Sequence, residues 1–228
     1  MTPELEAILF QRYPDFFVRH SWPAGESAMA RGCATNDGWF SLIDAVGDAI
    51  TNHATAAGRP VPEALQLKEK FGGLRIYLAD GDEFAHAVTM MAEAVSFWFC
   101  EVTGRPGHLV NRGGYLQTLC PEMAARHGLT IRVSVPRPSS RSAKYRSVLK
   151  GPVHVPRGWL RIVDCMLLSF IRLTTADPVI IDRIAMEGDG LLVASGDLGD
   201  TAAGVISVCQ AIALRTDEKT GTLYVPTA

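Results

Sequence analysis

At 228 residues, with 47% hydrophobic and 20% charged residues, the chain is long enough to bury one large core or two small ones, and a wholly disordered protein is excluded. No apolar run reaches about 18 residues and the start, MTPELEAILFQRYPDFF, has no basic stretch followed by an apolar one, so neither a transmembrane helix nor a secretory signal is expected. Five scattered cysteines read as reduced thiols of a cytoplasmic protein rather than as a disulfide framework, and the net charge of −2 conceals an uneven distribution.

Thr2-Pro3-Glu4 is a helix start, with a hydroxyl cap, proline at the first helical position and an acid near the positive end of the dipole. Leu5, Ile8 and Leu9 form its stripe, Pro14 stops it, and residues 20–38 read as loop. Trp39, Leu42, Ile43, Val46 and Ile50 share one face of an amphipathic helix. Ala64 to Lys70 and Leu74 to Ala79 then predict two strands around a Phe71-Gly72-Gly73 turn. Asp80-Gly81-Asp82 opens another helix, with Phe84, Val88, Met91, Val95 and Trp98 at helical spacing.

The same grammar returns in the last third. Gly38-Trp39-Phe40-Ser41-Leu42-Ile43-Asp44 matches Gly158-Trp159-Leu160-Arg161-Ile162-Val163-Asp164, and Trp159, Ile162, Val163, Met166 and Phe170 form the second stripe. Asp177-Pro178 breaks that helix, Val179 to Ala185 and Leu191 to Ala194 predict a hairpin around Gly188-Asp189-Gly190, and a helix burying Ala202, Val205, Val208, Cys209 and Ile212 follows. The expectation is an α+β fold of two diverged helix–β-hairpin–helix modules, packed as a pseudo-symmetric unit: residues 1–128, a connector at 129–156, and residues 157–228.

The connector carries the strongest charge pattern. From Met123 to Val163 there is no Asp or Glu, yet nine basic residues: Arg126, Arg132, Arg137, Arg141, Lys144, Arg146, Lys150, Arg157 and Arg161. The other 13 Lys and Arg face all 24 Asp and Glu, which leaves the remainder at −11. Leu129 to Val135 alternates as a strand would, and Pro136 to Ser142 reads as an exposed loop. Three uses of the basic stretch are open: lying on the chain's own acidic modules, docking an acidic protein, or binding nucleic acid. The docking residues would be Arg137, Arg141, Lys144, Arg146 and Lys150. Only Tyr145 and Trp159 offer rings for base stacking there, and the acidic remainder repels phosphate.

Asn36-Asp37-Gly38-Trp39-Phe40, Lys68 to Tyr77 (KEKFGGLRIY), Cys100-Glu101-Val102-Thr103-Gly104-Arg105-Pro106-Gly107 and Gly113-Gly114-Tyr115-Leu116-Gln117-Thr118-Leu119-Cys120 carry a resemblance over roughly residues 1–127. In these strings the chain resembles a family of small uncharacterised bacterial and phage proteins. The family's pattern ends in C-E-x-C-G-x-P-G and T-L-C-x-x-H, which implies a zinc ribbon with three cysteine ligands and one histidine. Here Thr103 stands at the second cysteine and Met123 at the histidine. The resemblance therefore implies a degenerate site whose vestiges are Cys100 and Cys120, with no metal and no cofactor expected. It brings no activity with it.

Other constellations point away from chemistry. Lys68 to Arg75 has the glycines of an anion loop, but no helix follows and G-x-x-x-x-G-K-[ST] is absent. Asp44 and Asp164 read as caps or surface charges, Asp80, Asp82 and Glu83 as a cluster after the hairpin, and no H-E-x-x-H or G-x-S-x-G occurs. The expected role is recognition: a non-enzymatic protein-binding module, on analogy a neutraliser of a toxin or effector of the immunity-protein sort. A nucleic-acid-associated protein descended from a zinc ribbon is the alternative, and an enzyme with an unfamiliar site comes third.

Overall fold

A computed structural model describes residues 1–172, 179–196 and 198–226; the expected break at Asp177-Pro178 lies outside the described residues. The protein is α+β. Helix α1 (Pro3–Arg12) has proline in its first turn with Glu4 and Glu6, and buries Leu5 and Leu9. A 3₁₀ turn, Asp37–Trp39, runs into α2 (Phe40–Ala56), which is buried on much more than its predicted stripe. Strands β1 (Glu63–Lys70) and β2 (Gly73–Ala79) form an antiparallel hairpin closed by Lys70 opposite Gly73. Helix α3 (Glu83–Ser96) starts where Asp82 Oδ1 accepts the Ala85 N–H at 2.9 Å, satisfying one of the amides left open at a helix start.

A second hairpin follows, β3 (His108–Arg112) and β4 (Tyr115–Leu119), then the short α4 (Pro121–Ala125). Gly113 and Gly114, which in the sequence stand only within a motif, form the turn of this hairpin. In the last third β5 (Val153–His154) runs parallel to β6 (Ile181–Glu187), which pairs antiparallel with β7 (Gly190–Ser195). A 3₁₀ turn, Arg157–Trp159, leads into α5 (Leu160–Arg172), and α6 (Asp200–Leu214) completes the set. Helix α3 packs on α6, α2 on α6, and α3 on α5, so both halves share one continuous apolar core. No described helix is long and apolar enough to cross a membrane.

One set of contacts occurs twice. The Trp39 indole N–H donates to Phe99 O at 2.8 Å, and the Trp159 indole N–H to Thr216 O at 3.1 Å. The Gly38 N–H donates to Glu101 O at 2.8 Å, and the Gly158 N–H to Glu218 O at 2.7 Å. The hairpin-closing pairs Lys70–Gly73 and Glu187–Gly190 stand 117 residues apart, as do the bulges between Ala64 and Gln66 and between Ile181 and Arg183. Why glycine precedes each tryptophan follows from the approach of the facing turn. A Cβ at Gly38 would stand 2.4 Å from Cys100 O, and one at Gly158 would stand 2.2 Å from Asp217 O.

Two features of the connector differ from the sequence reading. Residues 129–135 form no strand. Their alternation is met by packing: Leu129 and Ile131 lie on a small apolar cluster of Cys100, Val110, Leu119, Cys120 and Ala124, while Val133 and Val135 wall a cleft. Further on, Tyr145, Val148 and Leu149 enter the main core. Ile181 N–H donates to Val148 O at 2.8 Å and Lys150 N–H to Ile181 O at 2.9 Å, so this stretch is part of the second half and not a tether between halves.

Candidate functional site

Asp44 and Asp164 are neither caps nor surface charges; both are buried. Asp44 Oδ1 accepts from Tyr13 Oη at 3.0 Å and from Arg12 Nη1 at 2.8 Å, and Oδ2 from Arg215 Nε at 2.6 Å. Asp164 Oδ1 accepts from Tyr145 Oη at 2.5 Å and from Lys144 Nζ at 2.9 Å. The motif is the same in both halves, a basic residue followed by a tyrosine holding the helix carboxylate. Burial works to raise the Asp44 pKa, but the Arg215 and Arg12 hydrogen bonds and charges outweigh it and hold the group below the ordinary carboxylate value. Each aspartate is thus an internal anchor, and the pair does not form one catalytic site.

The four positions that the resemblance marks lie close together. Thr103 Oγ1 donates to Cys120 Sγ at 3.6 Å, and Met123 packs on the small apolar cluster that holds Cys100 and Cys120. The turn after Cys100 is closed by the Gly104 N–H, which donates to Cys100 O at 2.9 Å. The donor set is another matter: two thiols, a hydroxyl that stays protonated at neutral pH, and a thioether do not make the closed Cys₃His shell of structural zinc. Burial raises the Cys100 pKa. For Cys120 burial acts the same way, but the Met123 N–H, the Thr103 hydroxyl, the Cys100 thiol and the Arg105 charge bring it below the ordinary thiol value. In the second half the matching turn is held by Asp217, whose Oδ1 accepts the Thr220 N–H and the Thr220 hydroxyl, each at 2.7 Å.

Purified protein is expected to hold no stoichiometric zinc, whereas the double variant Thr103→Cys, Met123→His should take up about one per chain and become more heat-stable. Elemental analysis decides it. Close to one zinc in the wild-type chain, lost on Cys100→Ser, would overturn the reading.

The connector's cations are mostly unpaired. Lys144 is engaged by Asp164, and Arg126 by Glu122 at 3.2 Å. Arg132, Arg137, Arg141, Arg146 and Arg157 are exposed and have no carboxylate within 4.0 Å among the described residues. Lys150 is exposed, with its Nζ on Arg146 O at 3.3 Å, and it lines a shallow cleft with Arg141 and His154. The chain's acidic surface therefore does not cover these residues. The two connector aromatics are both in the core, Tyr145 on Asp164 and Trp159 under its turn, so neither presents a ring to a base. Of the five docking residues, four project to solvent and Lys144 belongs to the second half's internal anchor.

Another cleft, between the end of α2 and the start of α3, brings His53 Nε2 to 3.2 Å from Asp82 Oδ2, with the imidazole stacked on Phe84 at a centroid distance of 3.8 Å. Asp82 also binds Arg59 at 3.2 Å and caps α3, which ties its carboxylate to structure. No described residue lining this cleft has a hydroxyl or thiol for a histidine to activate. Comparison of the chain with family models, curated proteins and solved structures finds no match to any of the three.

Proposed function

We propose that the protein is a non-enzymatic binding protein whose exposed connector docks an acidic protein surface. The observation that carries this reading is the row of solvent-projecting cations Arg137, Arg141, Arg146 and Lys150, which the chain's own carboxylates leave uncovered. Charge complementarity of this kind steers association and fixes register. An acidic protein fits better than a nucleic acid because the rest of the chain stands at −11 and both connector rings are buried. Neutralising an acidic toxin or effector is one biological form such binding takes. The repeated Gly-Trp turn and the repeated aspartate anchor support descent of the two halves from one module.

The test is charge reversal away from the aspartate anchor. Arg137→Glu, Arg141→Glu and Arg146→Glu together are expected to change stability by no more than about 0.5 kcal/mol per site. They should also abolish a 1:1 complex with an acidic partner, the first candidate being the product of the neighbouring gene. Wild-type affinity for DNA and RNA should stay at a non-specific level of about 10⁻⁴–10⁻⁶ M at physiological salt. Submicromolar, salt-steep nucleic-acid binding that the triple reversal destroys would overturn the proposal.

A further inference from the structure

A separate cleft of about 350 Å³ opens where the turn after β4, the turn into α5 and the C-terminal turn meet. Arg105, Arg157, Arg161 and Lys219 line it, Val133 and Val135 wall it, and among the described residues no acid is part of its lining. Arg105 is held from outside by Glu122 at 2.9 Å, while Arg157 and Lys219 are exposed and have no carboxylate within 4.0 Å among the described residues. Arg161 is different from the rest. It is only 4% exposed, its Nη1 is buried without a hydrogen-bond partner, and no described carboxylate lies within 4.0 Å of it. The Trp98 ring lies 5.8 Å away, and Asp164 attracts the guanidinium from beyond ion-pair distance. Burial outweighs the attraction of Cys165 and Asp164 and pulls its pKa below the ordinary arginine value.

A guanidinium stays charged in a protein, and burying one unpaired is strongly unfavourable. Asp164 is already engaged by Lys144 and Tyr145 and makes no ion pair with Arg161, so a directly bonded counter-charge has room to enter from the cleft that Arg161 lines. Three cations without carboxylates suit a dianion better than a single carboxylate, and the guanidinium fork matches tetrahedral oxygens in a bidentate way. We propose that this cleft binds a phosphate group, supplied either as free phosphate or as a phosphorylated side chain of a protein. It is independent of the docking proposal, since Arg137, Arg141 and Arg146 are not among its lining.

Thermal unfolding of the full chain in inorganic phosphate, against sodium chloride at equal ionic strength, tests the site. The wild-type Tm should climb with the logarithm of phosphate concentration. Arg161→Met should abolish the climb without lowering the Tm in chloride, because it removes a buried charge that makes no ion pair. A merely structural arginine would instead lower the Tm in both salts. Should Arg161→Met fail to fold, the exposed-site variants Arg157→Gln and Lys219→Gln carry the test, each weakening phosphate severalfold with the chloride Tm unchanged. A phosphoserine peptide that binds at least about tenfold tighter than inorganic phosphate assigns the group to a protein, and equal or weaker binding assigns it to free phosphate. No phosphate-specific rise in the wild type, or an undiminished rise in the variants, overturns the proposal.

Discussion

Trp39→Ala and Trp159→Ala are each expected to cost about 3–5 kcal/mol in urea or thermal unfolding. Both indoles are essentially inaccessible, at 0% and 1% exposure, and each fills the space between its helix and the turn that its N–H bonds. The variants remove the largest side chain of each half and leave a cavity that two packed hairpins and four helices cannot close. Trp39→Phe separates the two contributions. It keeps most of the apolar volume but leaves Phe99 O without its donor, so a loss of about 1–3 kcal/mol is expected. A cost below about 1 kcal/mol at either tryptophan would show that the Gly-Trp turn does not organise its half.

The second large effect is at Asp44. Asp44→Asn removes the negative charge from between Arg215, 19% exposed at its side chain, and Arg12, and should cost about 2–4 kcal/mol because Arg215 keeps only the partly exposed Asp48, at 3.2 Å. Asp164→Asn should cost less, about 1–3 kcal/mol, since its cation is the half-exposed Lys144 and the tyrosine hydroxyl still finds an acceptor. The pH dependence has a definite sign. The folded Asp44 pKa lies below its unfolded value of about 3.9, so its contribution is fully present above about pH 4 and is lost as pH falls through the folded value. Acid unfolding of Asp44→Asn should therefore be flatter below pH 4 than that of the wild type. Equal slopes would remove Asp44 from the acid response.

Much of the fold was legible in the residues, and the reasons for the gaps are physical. Trp39 to Ile50 and Trp159 to Phe170 keep a clear helical period because α2 and α5 each pack against α3 and α6, and both main hairpins stand where alternation and glycine turns placed them. The anchors at Asp44 and Asp164 were not legible. A helix buried nearly all round turns polar positions inward as well, and period alone does not say which partner from a distant segment will meet them. The β3–β4 hairpin was hidden for the opposite reason. Its strands are short, with Leu109 and Tyr115 exposed, so it lacks the in–out contrast of a strand lying on a large core. Arg161 looked like one more member of a basic run, although its place on the apolar side of α5, between Trp159 and Ile162, was a signal that it would be buried.

The seam between α3 and α6 sets how the molecule comes apart. At Gly204 the two helices approach so closely that a Cβ there would stand 2.5 Å from Phe84 O and 3.1 Å from the Ala87 methyl. Backbone lies almost on backbone, with no long side chain to slide, and Arg215 of one half closes on Asp44 of the other. Neither half can loosen while the other stays intact without baring that seam to water. The two halves therefore share a single cooperative melting transition, with equal calorimetric and van't Hoff enthalpies, although the chain carries the same structural grammar twice.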